Sequence, residues 1–402
     1  MSRAAPRHRR SHVYIASLTW DWFWIIQQPI CDQIRRDEPV LYVERFVSLF
    51  TILRYPELWR RLFTWLQGPR RVSPNLWLLA PLPLFHLGHR FPRLFSLEFL
   101  IQRLWIRWWA GRLLSGDRVL WVDNPLYQGA LGTLGECISI YHLADEISAF
   151  ASSHPGSVAA QERALLAKVD LVFAAADQLA AEKRRFHPRV TAIWNAMDPA
   201  VFDAPEPTAA IAEVEAIPPP RVAYIGSLES WVDTDVLALA ASRLPHVHFV
   251  LVGPAIVSDR PLRAFANVHL LGARARPVIP VVLRRCSASL VPFKKNQLTE
   301  RVLPIKVFEA LAAGIRPIAT AFSKDLEVLE GQGYLVVTRS PDDFVGAIEQ
   351  AIGEDTATQR RHYSQFGRRQ TWKERWKQMD QVIRSFAASR EASVNQVAHP
   401  KS

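Results

Sequence analysis

Cysteine is scarce: Cys31, Cys137 and Cys286 are the only three in 402 residues, far apart and without the paired spacing of zinc ligands. That excludes a disulfide-stapled scaffold and a structural zinc site, and it fits a reducing, cytoplasmic compartment. Long apolar runs are also missing. The best candidate, FLIQRLWIRWWAGRLL, is punctuated by Arg103, Arg107 and Arg112, and it falls short of the ~18 uninterrupted apolar residues of a membrane span. After the basic opening MSRAAPRHRR the apolar run is too brief for a secretory signal, so the expectation is a tail feeding a first strand. No internal repeat occurs, and the twelve histidines are scattered, so neither a solenoid nor a metal centre is expected.

Lysine is absent from the first 120 residues, where 18 arginines face eight acidic residues. Nearly all of the net charge of +11 therefore lies in the first part of the chain, as do ten of the fourteen tryptophans, counted to position 121. Arginine interleaved with tryptophan, as in LWRRLFTWLQGPRR and the run above, is the composition of helices lying on an anionic lipid surface. Ordinary helices with solvated arginine faces are the plain alternative. Nucleic acid is the competing acidic partner, but no nucleic-acid-binding module is legible, so no nucleic acid is expected.

The length favours two domains, and 49% hydrophobic with 22% charged residues describes a globular chain. In the second half, short β-rich runs (RVAYIGS, HVHFVLVG, NVHLLG, SASLVPF, RPIATA, YLVVT) alternate with helical patterns (DTDVLALAASRL, PVIPVVLRRC, LPIKVFEALAAG, PDDFVGAIEQAI), the signature of a parallel α/β domain. The first half repeats the signal less cleanly in HVYIAS, PVLYVE, RVLWVD, CISIYH and LVFAAA. DAPEPTAAIAEVEAIPPP, ending in three prolines, reads as a linker. The expected organisation is a first Rossmann-like domain over 1–202, a linker over 203–220, a second such domain over 221–370, a helix over 371–390 and a flexible tail over 391–402. Two such domains would leave a cleft at the carboxyl ends of their strands.

One stretch carries chemistry. In LPIKVFEALAAG, Pro304 suits a first helical turn and Gly314 the position past a helix end. Lys306, Glu309 and Ala313 fall on one face, with Val307, Phe308 and Leu311 on another. A lysine in the first turn, where the dipole favours anions, makes a phosphate site, and a carboxylate one turn on can take both hydroxyls of a ribose. An exposed Lys–Glu pair is the plain alternative. Asp233 and Asp235 in DTD sit at a helix start and read as capping rather than metal binding, and Asn195 and Asp198 read as shaping a turn.

NQLTERVLPIKVFEALAAGIRPIAT resembles the donor-site segment of GT-B glycosyltransferases, especially the family-4-like bacterial enzymes that build surface polysaccharides. LWVDNPL, IYHLADEISAF, DLVFAAADQLAAEKRRFHPRVTAIWNAMDPAVF and YIGSLESWVDTDVLALAASRLPHVHFVLVGP resemble further segments in the same order. The resemblance implies a GT-B fold, two Rossmann-like α/β domains facing across a cleft, and transfer from a nucleotide-sugar substrate to a saccharide or lipid-linked acceptor. No cofactor or metal is expected, since no ligand cluster is legible, and the arginine–tryptophan asymmetry adds the expectation of a cytoplasmic enzyme held peripherally on the inner membrane face. It places Glu309 on the donor ribose, Lys306 beside the diphosphate, and the amides of Gly226 and Ser227 in GSLES near phosphate or acceptor. In YHLADEISAF the layout resembles the strand end bearing the catalytic aspartate of the xanthan-assembly glucuronosyltransferase, which makes Asp145 the candidate general base, with His142 and Glu146 in reserve. The family's glutamate pair is broken: Arg301 stands eight positions before Glu309, where charge on the diphosphate and a solvated side chain are both open roles. A nucleotide-sugar 2-epimerase and a non-catalytic nucleotide-sugar binder are the alternatives.

Overall fold

The computed structural model describes residues 10–21, 24, 26–55, 59, 61–84, 92–146 and 155–398. The chain divides into two compact units, one formed by residues up to 174, 180–192 and from 376 onward, the other by 175–179 and 193–375.

The first unit is built on an eight-stranded sheet in the order β3-β4-β2-β1-β5-β6-β7-β8. Its strands are β1 (Arg10–Ile15), β2 (Val40–Val43), β3 (Arg70–Ser73), β4 (Leu76–Leu79), β5 (Asp117–Val122), β6 (Ile138–Leu143), β7 (Leu171–Ala174) and β8 (Val190–Ala192). All pairings are parallel except β3 with β4. All six residues of β1 and of β6 are buried, as a parallel strand covered on both faces requires, and buried polar groups among them find partners: Arg10 and His12 bond Glu38, and His142 bonds Tyr14. Register aligns Tyr14 with Tyr42 on one side and Trp121 on the other, so the three rings stack across β2, β1 and β5. Strands β3, β4 and β8 are additional to the sequence reading. Pairing on the sheet, not periodicity, defines them, since each has only three or four residues.

The second unit holds six parallel strands in the order β11-β10-β9-β12-β13-β14: β9 (Arg221–Ile225), β10 (His248–Val252), β11 (Val268–Gly272), β12 (Ala288–Val291), β13 (Arg316–Thr320) and β14 (Val336–Thr338). Each falls within an expected run. The stretch read as a linker contains helix Thr208–Glu215 and lies inside this unit. Strand order reverses between β9 and β12, and in open α/β sheets a crevice for ligands opens at the carboxyl ends of such a pair. Helix Ile305–Ala313, which follows β12, is fixed by close backbone contact: a Cβ on Gly367 would lie 2.2 Å from the Ala312 nitrogen, so glycine alone lets helix Ala357–Gly367 approach it. Among the described residues no helix is long and apolar enough to cross a membrane.

Candidate active site

The 305–313 helix starts where the crevice in the second unit is expected. Pro304 is its N-cap, one residue before the first turn, with extended backbone and no capping side chain; the Val307 amide donates to the Pro304 carbonyl at 3.1 Å, and the Ile305 and Lys306 amides are left to water or a ligand. Gly314 ends the helix at φ +85°, a left-handed conformation suited to glycine. Val307, Phe308, Ala310, Leu311 and Ala312 are buried, while Lys306 and Glu309 share the partly open face.

Lys306 Nζ lies between two aromatic walls, 4.6 Å from the centroid of Tyr224 and 4.7 Å from that of Phe293. It also lies against the turn that follows β9: a Cβ on Gly226 would stand 2.8 Å from Nζ, and the turn's φ of +134° is the conformation that favours glycine there. Gly253 is as constrained, since a Cβ would come 2.1 Å from the Gly226 carbonyl oxygen. The Tyr224 hydroxyl donates to the Ser227 carbonyl at 2.7 Å and fixes the turn. A recess of about 150 Å³ opens beside Gly226, lined by Tyr224, Gly253 and Gly272 and by the Asp259–Arg263 pair.

Burial pushes the Lys306 ammonium down to about 8, with Glu309 pulling the other way. Burial raises the Glu309 carboxyl above its ordinary value, against the pull of Arg276 and Lys306. Arg276 lies 3.9 Å from Glu309 and was not singled out in the sequence. Its signal was only ARARP following a strand. Asp198 caps helix Pro199–Asp203 by accepting from the Ala200 amide at 3.1 Å, as expected of a turn residue. Asn195 donates to the Leu303 carbonyl at 2.9 Å, tying its loop to the entry of the 305–313 helix. In the NQLT segment, Asn296 Oδ1 accepts from the Leu298 and Thr299 amides, and Thr299 Oγ1 donates to the Lys294 carbonyl at 2.6 Å. Asn296 and Thr299 thus shape the approach to the short turn Thr299–Arg301, which holds Arg301 in a half-buried position. Asp233 accepts from the Asp235 and Val236 amides, so the DTD sequence caps a helix. Among the described residues no cluster of three or more His, Cys, Asp or Glu side chains is arranged to hold a metal.

The ammonium supplies a pH test. Lys306 titrates near 8 in the free protein, so affinity for a diphosphate anion should hold steady from pH 6 to 7.5 and weaken through pH 8–9.5 by up to about tenfold per pH unit as the charge is lost. Calorimetric titration across that range checks it, and the decline should flatten in Lys306→Arg, whose charge persists.

In the first unit the three residues at the end of β6 differ in environment. His142 is 3% exposed, and its Nδ1 is 2.7 Å from the Tyr14 hydroxyl. Burial holds the Tyr14 phenol protonated and pushes the imidazole down to about 4, so the hydrogen bond joins two neutral groups. The ring stands edge-on to Trp121 within the aromatic layer and is placed to hold Tyr14. Glu146 is buried against Lys183 at 2.9 Å; Lys183 also binds Glu162 at 2.9 Å, and Glu162 accepts from the Tyr141 hydroxyl at 3.0 Å. Asp145, between them, is half-buried and makes no hydrogen bond or ion pair among the described residues. Burial alone pushes its carboxyl up to about 6.

Residues 219–354 match the family model described as Glycosyl transferases group 1. TuaH of Bacillus subtilis (strain 168), named as a glycosyltransferase of teichuronic acid biosynthesis, is 27% identical over 137 residues, 33% of this chain. The chain thus matches about a third, 34%, of that relative's length. Among solved structures, sucrose-phosphate synthase from Thermosynechococcus elongatus superposes with a TM-score of 0.70 at 15% identity, covering 94% of this chain and 100% of the other. HepE of Anabaena in complex with UDP and glucose superposes at 0.66 and 14% identity, covering 93% and 99%. The E. coli trehalose-6-phosphate protein bound with UDP-2-fluoro glucose superposes at 0.66 and 10% identity, covering 93% and 98%. The chain has the GT-B fold, and its similarity to glycosyltransferases includes the segment that carries Lys306 and Glu309.

Proposed function

We propose that this protein is a glycosyltransferase that moves a sugar from a nucleotide-sugar, bound by the second unit, to a lipid-linked saccharide of a cell-surface polysaccharide. The observation that carries the reading is the position of Lys306: its ammonium lies against the Gly226 turn at the head of a helix whose next turn presents Glu309. A glycine turn at positive φ, a half-desolvated cation and the amides of Ile305 and Lys306 together suit a diphosphate, and the carboxylate suits a ribose. The family match over 219–354 supports the donor class, and fold neighbours hold UDP or UDP-glucose. The polysaccharide acceptor draws support from the name of TuaH and from the arginine–tryptophan composition of the first unit, which fits a cytoplasmic protein resting on the inner membrane face.

In this scheme the bond between the sugar C1 and the diphosphate oxygen breaks as an acceptor hydroxyl attacks C1. Lys306 and the helix amides take up the charge developing on the departing diphosphate, a role assigned here to the protein rather than to a metal ion. Asp145 removes the acceptor proton. Gly226 and Ser227 contact phosphate, and Arg301 adds positive charge nearby. Saturation-transfer NMR of the full chain against UDP-, GDP- and dTDP-sugars tests the donor assignment: selective signals from one nucleotide class are expected. Silence across the panel, with and without lipid vesicles, would overturn it.

A further inference from the structure

Helix Pro92–Leu113 in the first unit is amphipathic in the wrong sense for a helix in water. Its inward face carries Glu98, Gln102, Ile106 and Ala110, all at most 7% exposed, and Gln102 is accommodated only by bonding both the amide and the carbonyl of Leu82. Its outward face carries Leu97, Leu100, Ile101, Leu104 and Trp108, which are 39–57% exposed and recur at the three- and four-residue spacing of one helical stripe. Two polar side chains thus face inward while five large apolar ones face out.

The stripe continues onto its neighbours. Trp65 meets Trp105 edge-on at 6.3 Å, and Gly68 packs so closely on Trp109 that a Cβ would come within 2.8 Å of its ring. This brings the segment bearing exposed Phe63 and Leu66 alongside the helix. Charge selects the occupant. Residues 45–116 contain eleven arginines and no lysine or aspartate, and their two glutamates are Glu57 and the buried Glu98. Arg107 and Arg112 are exposed on the helix, and Arg112 lies 4.2 Å over the Trp108 ring, so cation and indole reach solvent together. A second copy would set arginine against arginine. A surface with anionic headgroups above apolar chains meets both the charge and the apolar stripe.

We propose that the outward face of the 92–113 helix, with Phe63 and Leu66 beside it, is the membrane-inserting face of the protein. The helix lies along the plane of an anionic bilayer, with Leu97, Leu100, Ile101, Leu104 and Trp108 below the headgroups and Arg107 and Arg112 among them. This inference rests on the peripheral-membrane part of the reading above and is independent of the donor site.

Sedimentation of the full chain with vesicles of phosphatidylcholine alone, or mixed with phosphatidylglycerol, tests it. The wild type should bind the anionic vesicles and not the neutral ones, and Leu104→Gln/Trp108→Gln should lower binding at least tenfold while melting and UDP binding stay unchanged. Undiminished binding of the double variant would overturn the assigned face and leave the membrane reading standing. Absence of wild-type binding to either vesicle would overturn both, with UDP titration reporting separately on the donor site. A wild-type dimer that the double variant abolishes, without vesicle binding, would replace the membrane with a second copy.

Discussion

Glu309→Ala should weaken UDP binding by roughly 10- to 100-fold, because the substitution removes the one carboxylate on the open face of the donor-site helix. A hydrogen bond to a charged group is worth about 1.5–3 kcal/mol, and the proposed role gives this one side chain both ribose hydroxyls. An opposing effect has to be weighed. Glu309 offsets the charges of Arg276 and Lys306, so its loss leaves the site more positive and more attractive to a diphosphate. At an effective dielectric of about 20, one charge some 7 Å from another changes the energy by about 2 kcal/mol, enough to mask part of the loss. The 2′-deoxynucleotide separates the two terms. If Glu309 holds the ribose, dUDP should bind the wild type distinctly more weakly than UDP, and the difference should vanish in Glu309→Ala, whatever happens to the diphosphate. Equal binding of both nucleotides by the wild type would remove Glu309 from the ribose.

The donor half was legible because its signals are local. The face pattern of LPIKVFEALAAG follows from helical spacing alone, and Gly314 ends that helix as its position predicts. Six runs of β-branched and aliphatic residues gave the six parallel strands of the second unit, since strands covered on both faces need no partner to be recognised. What escaped depends on tertiary neighbours. Arg276 gains its meaning only when its loop is brought beside Glu309. The need for glycine at 253 arises from the Gly226 carbonyl, which another segment contributes. At the end of β6, the sequence offered Asp145 as the base with His142 and Glu146 in reserve. The fold separates them by packing His142 against Tyr14 and pairing Glu146 with Lys183. The 92–113 run has an interfacial composition, yet only the structure shows that Glu98 and Gln102 face inward while a stripe of leucine, isoleucine and tryptophan faces out.

Asp145→Asn should lower kcat by a factor of about 10² to 10⁴, the usual contribution of a positioned general base, and leave the donor affinity unchanged, because Asp145 belongs to the first unit and the donor residues to the second. The environment of the carboxyl favours the role. A base works best when its pKa lies near the working pH: a carboxylate left in water is a weak base, while one fully paired is unavailable. Burial pushes Asp145 up to about 6, so near pH 7 it is mostly ionised yet more basic than an ordinary aspartate, and among the described residues no cation competes for it. Glu146 carries the same functional group but is buried and committed to the Lys183 ammonium, which it shares with Glu162. The pH dependence follows with a definite sign. A base acts in its deprotonated form, so the wild-type rate should rise with pH through about 6 and level off above it, and this limb should be missing from the residual activity of Asp145→Asn. His142→Ala serves as the comparison. It leaves the Tyr14 hydroxyl unpaired in the aromatic layer and should lower the melting temperature while the acid limb stays near pH 6. If instead the limb disappears in His142→Ala and persists in Asp145→Asn, the base is the histidine, and the aromatic layer must open during turnover to expose it.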